Sequence, residues 1–200
     1  MKNIIKNFEK NGYVIVPGNI DLLNKLRFNI YKQIQKNKKL NKQINIENYF
    51  NNFHKNTHLK ELNKLRFNIY NMINKDKKFG DIYYEIAKEY LNAIVGNELS
   101  MQKKINLSIQ MPNDKDSLLD LHSDIYAGES PFQVVVWIPL VDAYNTKSMF
   151  FTKPSFNKIM NEKLLNTDDF TSKEMYNKNK KNFKFLNIKF GDILIFSPII

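Results

Sequence analysis

The spacing of apolar residues changes near residue 102, and this change limits the folds open to the chain. Before it, apolar residues recur at helical spacing, and turn-forming residues separate the segments. We predict four elements in this part: a strand from Tyr13 to Val16, a helix from the N-cap Asp21 to about Lys36, a helix that begins near Leu59, and a helix from Asp81 to about Val95 that ends at Gly96.

After residue 102 the pattern is typical of strands. Lys104 to Met111 alternates, with apolar residues at odd positions and polar residues at even ones, and Phe132 to Leu140 is an apolar run. Ser148 to Thr152 and Phe190 to Ile200 are further predicted strands, and the polar stretch Lys158 to Lys184 is predicted to be part helix and part lid or loop. Helices followed by strands predict an α+β fold whose second half is an antiparallel sandwich or barrel.

An octapeptide, NKLRFNIY, occurs twice in the helical half, at Asn24 to Tyr31 and at Asn63 to Tyr70. Two copies are too few for a solenoid, which needs several stacked units. We therefore predict two similar helices that pack on the same side of the domain.

Composition bounds the class of protein. A chain of 200 residues with 42% hydrophobic content fits one domain with a sizeable core. No apolar run has the length of a membrane span, the N-terminus lacks the apolar region of a signal peptide, and there is no cysteine. We expect a cytoplasmic protein without a membrane partner, a disulfide framework or thiolate metal ligands.

The net charge of +11 raises nucleic acid as a partner, but the distribution of charge argues against one. The lysines are scattered among asparagines, and arginine, which reads phosphates and guanine edges bidentately, occurs only as Arg27 and Arg66. We predict no nucleic-acid partner and favour a small-molecule substrate.

The residues with the clearest chemical meaning are His122 and Asp124. On an extended strand a His-x-Asp pair places both side chains on one face, together with Tyr126. An imidazole nitrogen and a carboxylate oxygen side by side supply two ligands of the facial triad of non-haem Fe(II) oxygenases. The competing interpretation is a surface histidine in a polar loop.

Two other groups of polar residues have open interpretations. Asn106, Ser108 and Gln110 share one face of the predicted strand, which is either solvated or turned into a ligand-holding barrel. His54 and His58 have the spacing that puts two imidazoles on one helix face, but their segment is Asn-rich and polar, so we predict a surface location.

The order of these segments resembles the phytanoyl-CoA-hydroxylase-like group of Fe(II)- and 2-oxoglutarate-dependent oxygenases. It is most similar to the oxygenases of sporadic carbohydrate-biosynthesis gene clusters. Three stretches carry the resemblance: GNELSMQKKINLSIQMP, SLLDLHSDIYAGESPFQVVVWIPLVDAYNTKSMFF and FGDILIFSP. The family implies a double-stranded β-helix, a jelly-roll or cupin-like barrel, with N-terminal helices packed on it. Residues 1–100 would be the mainly helical part of a single oxygenase domain spanning 1–200, and residues 101–200 its barrel core.

Residue by residue, the resemblance makes His122 and Asp124 the first two Fe(II) ligands. Gln110 stands where related hydroxylases place a lysine that contacts 2-oxoglutarate, and Trp137 matches the tryptophan of the family's V-W-I-x-L strand. Ser108, Gln110, Tyr126 and Trp137 are accordingly the predicted cosubstrate-binding residues, although Trp137 also suits a core position. Fe(II), 2-oxoglutarate and O₂ are the implied cofactor and cosubstrates.

In the family, the G-D-x-L-x-F strand is followed by a distal histidine and an arginine that holds 2-oxoglutarate. Here the sequence stops at Ile200, so we expect a fragment that lacks these residues and the closing strands. The implied reaction is oxidation, by hydroxylation foremost, of a sugar or nucleotide-sugar. The alternatives are a cupin-type isomerase that does not use 2-oxoglutarate and a non-catalytic sugar-binding protein.

Overall fold

The computed structural model describes residues 1–38, 45–114, 119–166 and 171–200. Short 3₁₀ helices cover Phe53–Lys55, Asp124–Ala127, Asn145–Lys147 and Lys180–Asn182. The helices and strands are, in chain order, α1 (Lys2–Asn11), β1 (Tyr13–Pro17), α2 (Ile20–Lys38), α3 (Ile46–Asn51), α4 (Leu59–Lys75), α5 (Lys77–Val95), β2 (Val135–Trp137), β3 (Phe150–Phe151), α6 (Pro154–Asn166), α7 (Ser172–Asn179), β4 (Lys184–Phe185) and β5 (Asp192–Phe196). The described part of the chain is thus α+β, with few and short strands.

The contacts within the chain divide it into two compact units that interleave in sequence. The sheet unit comprises residues 1–17, 93–95 and 119–200, and the helical unit comprises residues 18–92 and 96–118. The N-terminal strand therefore belongs with the C-terminal half of the chain. The alternating segment around residues 104–111 belongs with the helices.

In the helical unit, α2 and α4 pack against each other, and each contains one copy of the octapeptide. The prediction of two similar helices is confirmed, and they pack against each other. Equivalent positions are buried in both copies, as Leu26 and Leu65 show, and the phenylalanines at the equivalent positions 28 and 67 are exposed. The repeat thus gives α2 and α4 the same buried apolar stripe.

The predicted N-cap of α2 and the predicted first residue of α5 were wrong. Asn19 caps α2, because its side-chain oxygen accepts from the backbone N–H groups of Asp21 and Leu22, both at 3.1 Å; Asp21 lies inside the first turn. Helix α5 begins at Lys77 rather than Asp81, since the Asp76 carboxylate accepts from the backbone N–H of Lys78 at 3.0 Å. Its predicted end at Gly96 is confirmed, with φ +90° there.

The prediction of a strand at Lys104 to Met111 was wrong, although its alternation is real. Side chains of α4 pair with this extended segment in place of a neighbouring strand: the amide of Asn74 accepts from the Ile105 N–H at 2.7 Å and donates to the Ile105 carbonyl at 3.0 Å. Arg66 donates to the Ile109 carbonyl at 3.0 Å and pairs with Asp114 at 2.7 Å. Because side chains supply these partners, the segment stays extended without a sheet ladder.

In the sheet unit, β5 lies between β1 and β2 in a three-stranded antiparallel sheet. Tyr13 pairs with Phe196 on one side, and Trp137 pairs with Leu194 on the other. The predicted strand at Phe132 to Leu140 is reduced to Val135–Trp137, which is consistent with Pro139 having no N–H to donate to a ladder. Strands β3 and β4 form a separate antiparallel pair.

The core of the sheet unit gathers around β5. Leu194 and Phe196 of this strand are buried together with Leu186 and Ile188, and Trp137 packs against them. The strands assigned within the described ranges do not close into a barrel, so the double-stranded β-helix stays a prediction. Among the described helices, none has both the length and the apolar character that crossing a bilayer would need.

Candidate metal centre

His122 and Asp124 lie side by side in the sheet unit. The Nε2 atom of His122 is 3.4 Å from Oδ1 of Asp124. The two side chains are 47% and 32% exposed, so the pair is open to solvent. The structure therefore brings together the two residues that the sequence singled out as metal ligands.

The backbone that carries them is not the predicted strand. Ser123 is extended, at φ −121° and ψ 137°, but Asp124 begins the 3₁₀ helix that Gly128 ends in the left-handed conformation. The N–H groups of Gly128 and Glu129 bond to carbonyls within this turn, at 3.2 and 3.3 Å, and not to a neighbouring strand. One extended residue between His122 and Asp124 is enough to keep both side chains on the same side.

The orientation of the imidazole is set by the backbone two residues earlier. Nδ1 of His122 lies 2.6 Å from the carbonyl oxygen of Asp120. A carbonyl oxygen only accepts, so Nδ1 carries the proton, and in the neutral ring the lone pair is on Nε2, which faces Asp124. Metal-binding histidines commonly donate their other N–H in this way.

The donor atoms fit one metal ion. Ligand atoms each about 2.1 Å from a metal at adjacent coordination positions lie about 3 Å apart, close to the 3.4 Å between His122 Nε2 and Asp124 Oδ1. Without a cation, a lone pair and a carboxylate oxygen would face each other unfavourably. The arrangement can therefore hold either a metal ion or the proton of an imidazolium–carboxylate ion pair.

The structure adds no third ligand from the residues it describes. Within 1–38, 45–114, 119–166 and 171–200, no group of three or more His, Cys, Asp or Glu side chains is close enough to hold one ion. His122 and Asp124 remain the two candidate ligands of the described chain.

The predicted cosubstrate residues lie in different places. Ser108 and Gln110 are exposed and belong to the helical unit, and the apolar residues that alternate with them are buried or half-buried. Trp137 is half-buried against the core of the sheet unit, the core position that the sequence allowed. The backbone of Tyr126 lies in the 3₁₀ helix after Asp124, so the strand parity used to place it was wrong; its side chain lies outside the described residues.

The other two histidines are exposed, as predicted, but they do not share a helix face. His54 lies in the 3₁₀ helix Phe53–Lys55, and His58 is the extended residue before α4. Both line an open cleft of about 540 Å³ in the helical unit, together with Thr57, Leu59, Lys60, Met111 and Pro112.

Sequence reasoning missed two residues that shape the site. The Asp120 carbonyl is a backbone group and leaves no mark on the sequence. Ser123 is buried and its hydroxyl donates to the Pro198 carbonyl at 2.6 Å. A serine between two polar residues in a polar stretch gave no signal of burial.

Comparison of the chain with protein-family models, with curated proteins and with solved structures finds no match.

Proposed function

We propose that this chain binds Fe(II) through His122 and Asp124 and is the metal-binding part of a 2-oxoglutarate-dependent dioxygenase that oxidises a small molecule. One observation carries the proposal. The Nδ1–H of His122 is engaged by the Asp120 carbonyl, which leaves the Nε2 lone pair and the Asp124 carboxylate converging at 3.4 Å. Such a pair of an imidazole and a carboxylate supplies two of the three ligands of the facial triad that non-haem Fe(II) oxygenases use.

The residues would divide the work as follows. His122 would supply a neutral imidazole, held in the required tautomer by the Asp120 carbonyl, and Asp124 would supply negative charge. When bound there, Fe(II) with 2-oxoglutarate and O₂ would supply an oxidant for C–H bonds, at the expense of oxidative decarboxylation of 2-oxoglutarate to succinate and CO₂. The open side of the pair would admit the cosubstrate and substrate. Of the residues predicted to bind the cosubstrate, Tyr126 and Trp137 belong to the same unit as the pair and are the ones proposed for that role.

The test is an anaerobic titration of the chain with Fe(II) and 2-oxoglutarate, followed by visible absorption. We expect the weak charge-transfer band of a 2-oxoglutarate chelate in the wild type, and its loss in His122→Ala and Asp124→Ala. His54→Ala is the matched control, because it removes an exposed imidazole from the other unit. A wild-type chain without the band, or with a band that survives His122→Ala, would contradict the proposal.

The same preparations separate the alternative functions. Metal-dependent turnover of a sugar without succinate would identify an isomerase of the cupin type. Sugar binding that is indifferent to iron and to His122→Ala would identify a non-catalytic binding protein. In both cases the His122–Asp124 contact would be retained, but 2-oxoglutarate would have no role.

We propose a sugar or nucleotide-sugar as the substrate, on the strength of the resemblance to carbohydrate-cluster oxygenases. The test compares succinate formation from 2-oxoglutarate with and without a panel of sugars and nucleotide-sugars. Stimulation by members of the panel, absent in Asp124→Ala, is the expected result. Stimulation by other small molecules alone would reject the carbohydrate assignment and leave the oxygenase proposal standing.

A further inference from the structure

Ser123 occupies an unusual position between the two candidate ligands. It is 5% exposed, whereas the side chains of His122 and Asp124 on either side are 47% and 32% exposed. The chain therefore turns the serine inward at the point where it turns the ligands outward. A hydroxyl at such a depth needs a hydrogen-bond partner, and Ser123 donates to the Pro198 carbonyl at 2.6 Å.

The acceptor of this bond is itself fixed. Pro198 is fully buried and follows β5, the central strand of the sheet. The backbone N–H of Ser197 donates to the Gly12 carbonyl at 2.8 Å. On the other side, the buried side chain of Asn157, in α6, donates to the carbonyl of Ile199. The Pro198 carbonyl is thus held from both of its neighbours.

The segment that carries the ligands has few other ties to the sheet. In the stretch 119–133, leaving aside the side chains of residues 126 and 127, the remaining hydrogen bonds that the structure shows join residues of the same stretch, such as His122 with Asp120 and Glu129 with Asp124. They shape the turn locally but do not attach it to the rest of the unit. The hydroxyl of Ser123 does attach it, to the segment that follows β5.

We propose that Ser123 is a positioning residue, whose hydroxyl anchors the backbone between His122 and Asp124 to the end of β5 and so holds the two ligands at the separation a metal requires. This inference rests on the proposed metal site. Groups that orient metal ligands commonly change metal affinity by about 10- to 100-fold when removed. Loss of the hydroxyl would also remove a hydrogen-bond donor from the buried Pro198 carbonyl, which costs stability.

The experiment compares wild type, Ser123→Ala, Ser123→Thr and Ser130→Ala. Two quantities are measured on the full chain: the Kd for Co(II), an air-stable probe for the Fe(II) site, by calorimetry, and amide hydrogen exchange of residues 120–126. Ser123→Thr keeps the hydroxyl. Ser130→Ala is the control, because Ser130 is exposed and its hydroxyl accepts a local bond, from the Phe132 N–H at 3.2 Å.

We expect Ser123→Ala to raise the Co(II) Kd at least about tenfold and to speed exchange at residues 120–126 while exchange in β1 and β5 is unchanged. Ser123→Thr should restore both quantities toward the wild type, and Ser130→Ala should alter neither. Unchanged affinity and exchange in Ser123→Ala would overturn the inference. A wild type that binds no Co(II) would overturn the proposed function instead, and the exchange data would still decide whether Ser123 anchors the turn.

Discussion

Two aspartates flank His122, and they contact it with different atoms. Asp120 offers its backbone carbonyl to Nδ1, at 2.6 Å, while Asp124 offers its carboxylate to Nε2, at 3.4 Å. The side chain of Asp120 is therefore dispensable for the geometry of the pair, and the side chain of Asp124 is not. The same substitution, Asp to Asn, at each of these positions separates the role of the Asp120 carbonyl from that of the Asp124 carboxylate.

Asp124→Asn should weaken Co(II) binding by more than about tenfold, because it removes the negative ligand. Asp120→Asn should leave the Kd near the wild-type value, since its carbonyl is retained and its side chain is exposed. Calorimetric titration of both variants measures the difference. Equal losses in the two variants would indicate a general effect of negative charge rather than ligation.

At the scale of single elements, α7 shows how local electrostatics stabilises a helix end. Thr171 and Glu174 form a reciprocal capping box, in which the Thr171 hydroxyl accepts from the Glu174 N–H at 3.3 Å. The Thr171 backbone N–H and then its hydroxyl donate to the Glu174 carboxylate, and these bonds hold the pKa of Glu174 below its ordinary value.

A lowered pKa gives stability that is present above the unfolded-state pKa and is lost as pH falls through the folded-state pKa. We therefore expect Glu174→Gln to reduce the helicity of α7 at neutral pH. In acid, where the wild-type carboxyl is also neutral, variant and wild type should converge. Carbon-13 chemical shifts of residues 172–176 at the two pH values measure this. Thr171→Ala is the control, expected to cost about 1 kcal/mol of helix stability; a Glu174→Gln effect independent of pH would refute the account.

The repeated octapeptide provides a second test at this scale. Ile30 in α2 and Ile69 in α4 are equivalent and almost fully buried, at 3% and 0% exposure, whereas Phe67 of the same repeat is 65% exposed. Ile30→Ala and Ile69→Ala should each cost about 2–5 kcal/mol. Phe67→Ala should change stability by less than about 0.5 kcal/mol. Urea denaturation of the three variants checks the order, and a large loss in Phe67→Ala would contradict the buried stripe.

At the scale of the whole molecule, the sheet joins residues near the two ends of the sequence. Gly12 has φ +77°, a conformation suited to glycine, and its carbonyl accepts from the Ser197 N–H. A Cβ atom at Gly12 would lie 2.5 Å from Cγ2 of Ile200. The turn before β1 and the segment after β5 are thus packed too closely for a side chain.

A left-handed backbone costs a residue with a Cβ atom about 1–2 kcal/mol. We expect Gly12→Ala to destabilise the sheet unit by more than this, because the added Cβ also meets Ile200. Gly128→Ala is the matched control, with φ +90° and nothing within 4 Å of its added Cβ, so it should show only the backbone cost. Chemical denaturation measures the free energy of unfolding of both variants, and the difference between their losses is the cost of the close packing. If Gly12→Ala costs no more than Gly128→Ala, the close packing against Ile200 has no energetic weight.

Local features of this chain could be read from its sequence because they depend on neighbours in sequence. Helical spacing predicted the regions of α2, α4 and α5, and β1 was bounded by its Pro-Gly turn. The pairing of His122 with Asp124 was also predictable, since two residues separated by one extended residue project to the same side.

Tertiary structure decided what depends on distant partners. The alternation at Ile105 to Met111 left open which face is solvated, and the structure exposes the polar one. Whether such an extended segment becomes a strand depends on what bonds its backbone, and here Asn74 and Arg66 do so. In the same way, Ser123 is an anchor only because the chain brings Pro198 to it from 75 residues away. Side-chain periodicity is a local property of the backbone, while hydrogen-bond partners across such distances are chosen by the packing of the whole unit.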